Sequence, residues 1–279
     1  MKRLTKDGDP VNGIVKIDPV KALRNGFCLT AGVVGIIYFF SLNALLISAA
    51  VALSSMYVGV VAYHRLLIHR SFQCPLWVEY LLVFTANFSG MGSPTGLLRI
   101  HETRDWAQRK PQCHPYFAHR ENIFIDGWQQ LFCKLKLQTA PEFDFETTRD
   151  PFYRHLDRFW FLYQIPLGIA LYYLAGWGAV FGGVIFKMFA LQFGHWFVAH
   201  CLHNYGEQPV INKDAGVQGF NIPLLALLTF GESYHNNHHL CPEAARNSFK
   251  EGEIDPAWWL ILLLKKMHLA GNVHLYRSN

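Results

Sequence analysis

The sequence of 279 residues has few charged side chains and no paired cysteine motif. Charged residues make up 16% of the chain, whereas hydrophobic residues make up 51% and aromatic residues 15%. The six cysteines are scattered and none forms a CxxC pair, so they indicate neither a disulfide framework nor an iron–sulfur ligand set. We therefore expect these thiols to lie in a reducing environment that faces the cytosol.

Features of secreted and of nucleic-acid-binding proteins are also missing. The polar segment 1–26 contains no apolar core, so we expect no signal peptide. The net charge of +5 is modest, and the basic residues flank apolar runs instead of forming one block. This distribution suits anionic lipid headgroups better than nucleic acid. We therefore expect a lipid membrane as a partner, and no nucleic acid.

Long apolar runs predict helices that cross a membrane, because a crossing needs about 20 mostly apolar residues. Four such runs form two pairs with short uncharged hinges, namely 27–42 with 44–63 and 159–175 with 179–198. Basic residues flank these pairs, so both hinges face outward by the positive-inside rule. The sequence therefore predicts an all-α multi-pass membrane protein with four transmembrane helices in two hairpins. Lys187, inside the last run, either snorkels or faces a polar interior.

The same pattern divides the chain into three parts. We expect a cytosolic N-terminal segment over 1–26, a membrane domain over 27–271 and a C-terminal tail over 272–279. In this topology the N-terminus, the central polar stretch and the C-terminal third all face the cytoplasm. Polar residues from distant parts of the sequence would then meet in one cytosolic helical cap.

Histidine is abundant and is concentrated at the ends of the apolar runs. Most of the 14 histidines lie in three groups: His64 and His69; His195, His200 and His203; His235, His238 and His239. Histidine beside a membrane is costly unless its nitrogens bind a metal, a proton or a buried partner. Because the predicted topology brings all three groups to the cytoplasmic face, we expect a metal site there.

The spacing of these histidines suits metal ligands on helices. Imidazole binds iron, copper, zinc or nickel, whereas hard ions prefer oxygen. His235 and His239 are four residues apart and can share one helical face. His64 and His69 are five apart, which on an ideal α-helix separates them by about 140°. We therefore expect the helix to be ending where these two residues lie.

Three motifs surround the histidine groups: "YHRLLIHRSF", "HWFVAHCLHNYG" and "GESYHNNHH". They resemble motifs of the membrane fatty-acyl desaturases, specifically the stearoyl-CoA (delta-9) branch. The first is similar to that family's first box, HR-x-x-x-HRSF, and the third to its third box, GE-x-x-HN-x-HH. The second is similar to W-x-V-N-S-x-x-H-x-x-G. The resemblance runs from about Gly26 to Gly271 and implies a non-haem di-iron centre that uses O₂ and two electrons to dehydrogenate an acyl chain.

The chain departs from this pattern at the family's second box, HR-x-HH. The corresponding stretch retains His101 but has Arg104 and Asp105 where two histidines are expected. Asp105 could serve as a carboxylate ligand or could form a salt bridge with Arg104 or Arg109. Arg104 cannot bind a metal because its guanidinium has no free lone pair. His114 or His119 could fold back to replace the missing ligands.

A second departure affects the "HWFVAHCLHNYG" motif. Ala199 stands where the family has asparagine, and the adjacent His200 could take over that ligand position. Spacing and resemblance together predict a metal site held by His64, His69, His101, Asp105, His200, His203, His235, His238 and His239. Behind the ligands we expect Glu232, Asn236 and Asn237.

These observations predict an O₂-dependent fatty-acyl desaturase of lipid metabolism and fatty acid biosynthesis, with two non-haem irons. Its acyl substrate could be carried by coenzyme A, by an acyl carrier protein or by a lipid. No fused haem domain or ferredoxin cysteine set is present, so electrons would come from a separate donor such as a ferredoxin or a haem-cytochrome system. The alternatives are a hydroxylase or other oxygenase on the same scaffold, and a non-catalytic relative that binds metal or lipid.

Overall fold

The computed structural model describes residues 2–213 and 215–276, and this part of the chain is mostly helical. Its α-helices are α1 (Pro19–Tyr38), α2 (Leu42–Gly59), α3 (Leu76–Asn87), α4 (Pro94–Gln108), α5 (Pro115–Ala118), α6 (Ile123–Phe132), α7 (Pro151–Phe159), α8 (Gln164–Val180), α9 (Lys187–Asn204), α10 (His235–Leu240) and α11 (Pro256–Lys266). Two π-helices, Val60–Ile68 and Phe181–Phe186, directly extend α2 and α8.

The described part of the chain also contains four short strands, in two ribbons, which an all-α prediction does not include. The strands are β1 (Lys2–Lys6), β2 (Gly13–Ile17), β3 (Cys133–Leu137) and β4 (Glu142–Phe145). β1 pairs with β4 and β2 pairs with β3, both antiparallel. Each ribbon joins the N-terminal segment to the middle of the chain. Strands of this length are too short to produce a clear alternating pattern in the sequence.

Within the described residues, three helical stretches are long and apolar enough to cross a membrane: Pro19–Tyr38, Leu42–Ile68 and Gln164–Asn204. The last of them is interrupted, because Ala175 and Gly176 have non-helical backbone angles. Gly176 has a φ of +70°, which a residue without a Cβ adopts readily. Gln164–Asn204 is therefore not one straight helix.

Small residues allow the apolar helices to approach each other closely. A Cβ on Gly32 would lie 2.7 Å from the Cβ of Phe186, and one on Gly35 would overlap the ring of Phe181. Such small-residue contacts are a usual means of packing helices within a membrane. Lys187 faces the interior here, since it is 1% exposed and its ammonium donates a hydrogen bond to the carbonyl oxygen of Phe88.

Candidate metal centre

The first histidine motif lies on a π-helix, which changes the direction of its two histidines. Within Val60–Ile68 and its C-cap, the N–H of His69 donates to the carbonyl oxygen of His64 over 3.1 Å. This hydrogen bond spans five residues, so it places His69 above His64 instead of splaying the two side chains apart. Their Nε2 atoms are 3.2 Å apart. The helix ends at this point, as the sequence predicts.

Four histidines from three helical segments form what we call the first cluster: His64, His69, His101 and His238. Each offers a ring nitrogen, and these four atoms lie within 4.8 Å of one another. His101 comes from α4 and His238 from α10, so the cluster unites residues that are far apart in sequence. The set suits one transition metal, for which about three or four protein ligands are usual.

A second cluster consists of His203, His235 and His239, whose ligand atoms also lie within 4.8 Å of one another. The Nε2 of His235 is 3.4 Å from that of His203 and 3.1 Å from that of His239. α10 therefore contributes to both clusters, with His238 in the first and the other two histidines in the second. The ring centroids of His235 and His238 are 5.7 Å apart, so the clusters adjoin.

The nitrogens of both clusters suit a cation. A neutral imidazole carries one lone pair on a ring nitrogen, and lone pairs that face each other at these distances repel. A metal ion or a shared proton between them removes this repulsion, and iron, copper, zinc and nickel all accept imidazole. The residues present therefore fit two histidine-held metal ions. The donor types alone do not distinguish iron from copper, zinc or nickel.

Glu232 supports the first cluster from behind. Its Oε2 lies 2.6 Å from Nδ1 of His64, and its Oε1 accepts hydrogen bonds from Nε and Nη2 of Arg65. Burial alone would raise the pKa of Glu232, but His64 and Arg65 lower it to about 2. A carboxylate that accepts the Nδ1 proton leaves the Nε2 lone pair of His64 directed into the cluster.

Arg65 joins this pair to the C-terminal region. Its guanidinium is 1% exposed and also donates to both carboxylate oxygens of Asp255, over 2.9 and 3.0 Å. Asp255 is the N-cap of α11, where it accepts from the N–H of Trp258. Neither Arg65 nor Asp255 was predicted from the sequence to belong to the site. Two carboxylates facing one buried arginine make a fully hydrogen-bonded group that fixes the first histidine motif against α11.

Asp105 lies beside the first cluster on α4. One carboxylate oxygen is 3.4 Å from Nδ1 of His101 and the other is 3.6 Å from Nη2 of Arg109. The structure therefore brings Asp105 close to a predicted ligand and also into the alternative contact with Arg109. Both interpretations of this residue retain support.

Arg104 turns away from the histidine clusters into a polar group of its own. Nη1 lies 2.7 Å from Nε2 of His119, and Nη2 donates to Oε1 of Gln130 over 2.7 Å. Burial and the charge of Arg104 lower the pKa of His119 to about 4, so this imidazole is neutral and accepts the hydrogen bond from Arg104. The ring of His119 lies 5.2 Å from that of His203. His119 therefore reaches the side of the second cluster, but its nitrogens are engaged elsewhere.

Asp126 is the centre of that polar group and is fully buried. Its Oδ2 lies 2.9 Å from Nδ1 of His119 and 2.8 Å from Nδ1 of His200, and it accepts from Nε1 of Trp196 over 2.8 Å. Burial would raise the pKa of Asp126, but the hydrogen bonds from His119, Trp196 and His200 lower it to about 2. His200, predicted as a ligand, thus lies in a separate cluster with His119 and Asp126.

Gln108 contacts the second cluster directly. Its Nε2 donates to the carbonyl oxygen of Phe117 over 2.8 Å and lies 3.0 Å from Nε2 of His203. Nδ1 of His203 is 2.8 Å from the carbonyl oxygen of Ala199, which leaves the single lone pair on Nε2 either to accept from Gln108 or to bind a metal. Gln108 follows His101 by seven residues and therefore shares its helical face. That spacing was the signal in the sequence that could have identified Gln108.

The two predicted asparagines behind the ligands hold the surrounding loops. The amide of Asn236 donates to the carbonyl oxygens of Val210 and Gly219. The amide of Asn237 donates to the carbonyl oxygen of Asn247 and accepts from Asn221. Both residues thus fix the position of α10 through the backbone around it, and Glu232 is the member of this predicted set that contacts a ligand ring.

Known proteins are similar in sequence to this chain over most of its length. The sequence model of the fatty acid desaturase family matches residues 39–252. An sn-2 palmitoyl-lipid 9-desaturase from a Nostoc species is 33% identical over 252 residues, covering 85% of this chain and 83% of that protein. An sn-1 stearoyl-lipid 9-desaturase from Anabaena variabilis is 34% identical, covering 77% and 78%. A Synechocystis enzyme of the same name is 28% identical, covering 85% and 74%. The chain therefore belongs to the fatty acid desaturase family and is an oxidoreductase of lipid metabolism.

Proposed function

We propose that this protein is an O₂-dependent desaturase that introduces a double bond into an acyl chain at a histidine-held pair of irons. The observation that carries the proposal is the meeting of the first and second clusters at α10, where seven imidazoles converge in two adjoining groups. Two metals held side by side can act together on one bound molecule. Bound there, iron would supply the capacity to reduce O₂ with two external electrons and to oxidise a C–H bond.

The protein residues around each iron would have distinct tasks. His64, His69, His101 and His238 would hold one iron, and Glu232 would fix the tautomer and direction of His64. His203, His235 and His239 would hold the other, with Gln108 beside His203. Asp105 would add a carboxylate next to His101. His200 belongs with Asp126, so in this proposal it supports α9 instead of binding iron.

We further propose that the substrate is an acyl lipid, because the cyanobacterial relatives are called palmitoyl-lipid and stearoyl-lipid 9-desaturases. The break at Ala175 and Gly176 would divide Gln164–Asn204 into two crossings, giving four spans in two hairpins. The clusters would then face the cytoplasm, where a separate electron donor such as a ferredoxin or a haem-cytochrome system can dock. The first span would begin at Pro19, inside the segment 1–26 that the sequence analysis assigns to the cytosol.

The test is to express the chain together with a ferredoxin and its reductase, and to compare lipid profiles and iron content. We expect new monounsaturated acyl chains in membrane lipids and about two irons per purified chain, the number that a two-metal site requires. A hydroxylated acyl chain would instead assign the protein as an oxygenase. An unchanged lipid profile in a protein that holds iron would contradict desaturation.

Replacing Glu232 with glutamine tests how the first cluster is supported. Glutamine has nearly the same shape but is neutral, so it holds His64 less strongly in the tautomer that directs Nε2 to the metal. We expect iron affinity to fall about 10- to 100-fold, the usual effect of changing an outer partner of a histidine ligand. Iron retention during titration with a chelator measures this. Glu251→Gln, at an exposed position, is the matched control, and equal retention by both variants would contradict the role of Glu232.

A further inference from the structure

A large apolar groove lies on the side of the protein, and none of the histidines of the two clusters lines it. It has a volume of about 1130 Å³ and is formed by the first turns of α1, the length of α8 and residues of the π-helix Phe181–Phe186. Its walls include Phe27, Ile165, Ile169 and Tyr173, which are 55–83% exposed. The groove lies between candidate membrane spans, so its open side would face lipid chains.

Part of the groove lining is polar. Arg24 and Gln164 both line it, together with Trp160. The two side-chain hydrogen bonds that the structure gives Arg24 go to the neutral amides of Asn25 and Gln192, over 3.2 and 2.9 Å. The guanidinium carbon also lies 5.9 Å from the ring centroid of Trp160. A cation whose side-chain hydrogen bonds go to neutral amides, in the wall of an apolar groove, is complementary to an anion attached to an apolar chain.

Gln164 provides a second, independent observation. It is 4% exposed, and its Nε2 donates to the carbonyl oxygen of Asn87 over 3.0 Å. Its Oε1 is buried and has no hydrogen-bond partner among residues 2–213 and 215–276. A buried acceptor without a donor is costly, so a hydroxyl group from a ligand in the groove would satisfy it. Arg24 and Gln164 together therefore select a ligand that has both a negative charge and a hydroxyl donor.

We propose that this groove binds one glycerophospholipid of the phosphatidylglycerol type. An acyl chain occupies the apolar walls along α8, the phosphate binds Arg24, and a headgroup hydroxyl donates to Gln164. The volume lies slightly above the range of about 300–1,000 Å³ that is usual for small-molecule sites, which suits a flexible chain with a headgroup. The site requires neither iron nor an electron donor, so it stands apart from the proposed desaturation.

The test is native mass spectrometry of the full chain in mild detergent with added lipid. The probes are phosphatidylglycerol and an uncharged galactosyl diacylglycerol with the same acyl chains, which share hydroxyls but differ in the phosphate. We expect phosphatidylglycerol to bind about tenfold more tightly to the unmodified protein, because a charge-assisted hydrogen bond is stronger than a neutral one. Arg24→Gln should remove this preference, whereas Arg154→Gln, at an exposed position on α7, should retain it.

A groove-filling variant tests the apolar part separately. Ile169 is 55% exposed, so Ile169→Trp leaves the helix packing intact while it occupies the space of a chain. We expect this variant to bind both lipids about tenfold less tightly, since it displaces the apolar contacts that both probes share. Equal binding of the two probes to the unmodified protein, or unchanged binding by Arg24→Gln or by Ile169→Trp, would overturn the proposal. Native mass spectrometry measures bound lipid and does not require the enzyme to be active. A protein that binds lipid but makes no double bond would therefore refute the desaturase function and not the lipid site.

Discussion

Replacing His238 with alanine is expected to abolish desaturation and to empty the first cluster of iron. His238 is 4% exposed, and its ring centroid lies 4.7 Å from those of both His64 and His69. Removing it leaves three imidazoles in the first cluster and a cavity on the side that adjoins the second cluster. We expect the yield of unsaturated acyl chains to fall more than about 100-fold, beyond the effect of losing an outer partner. Lipid profiles and iron per purified chain measure the two effects.

His155→Ala is the matched control for this variant. His155 lies on α7, outside the first and second clusters, and its Nε2 is 2.8 Å from the hydroxyl oxygen of Tyr163. Both variants remove one imidazole. A difference between them in lipid profile or in iron content is therefore due to the position of His238 in the first cluster and not to the loss of a histidine in general. A His238→Ala protein that is folded, holds iron and still desaturates would refute the assignment of the first cluster.

The sequence predicted which histidines lie close together better than it predicted the backbone conformation that brings them together. The i, i+4 spacing of His235 and His239 directly indicates a shared helical face, and the structure places their Nε2 atoms 3.1 Å apart. The five-residue spacing of His64 and His69 does not suit an α-helix. It suits a π-helix, whose i→i+5 hydrogen bond stacks the two residues. A π-helix is rare enough that no pattern of apolar residues predicts it.

The altered second box shows why the remaining contacts could not be predicted. Arg104 stands where a ligand was expected, and its surroundings depend on His119, Asp126 and Gln130, which are 15 to 26 residues further along the chain. Such a network is specified by tertiary packing, because each polar group must find a partner once it is buried. No local spacing encodes that requirement. The motif comparison therefore detected the substitution but could not place its partners.

Replacing Asp126 with alanine is expected to be the most destabilising single change in the polar group beside the second cluster. It would leave Nδ1 of His119, Nδ1 of His200 and Nε1 of Trp196 without their acceptor. Removing one side of a buried, charged network costs about 3–5 kcal/mol. Thermal unfolding of the purified chain in detergent measures this as a lower Tm.

Two further variants separate charge from hydrogen bonding in this group. Asp126→Asn retains one acceptor oxygen but has no charge, so its Tm should lie between those of Asp126→Ala and the unmodified protein. Asp144→Ala removes a carboxylate on β4 that pairs with the exposed Arg149, and a surface pair of this kind contributes about 0–1 kcal/mol. Equal Tm values for Asp126→Ala and Asp144→Ala would mean that the Asp126 group does not hold α9 in place. The position of His203 in the second cluster would then have to depend on Gln108 and on the backbone of Ala199.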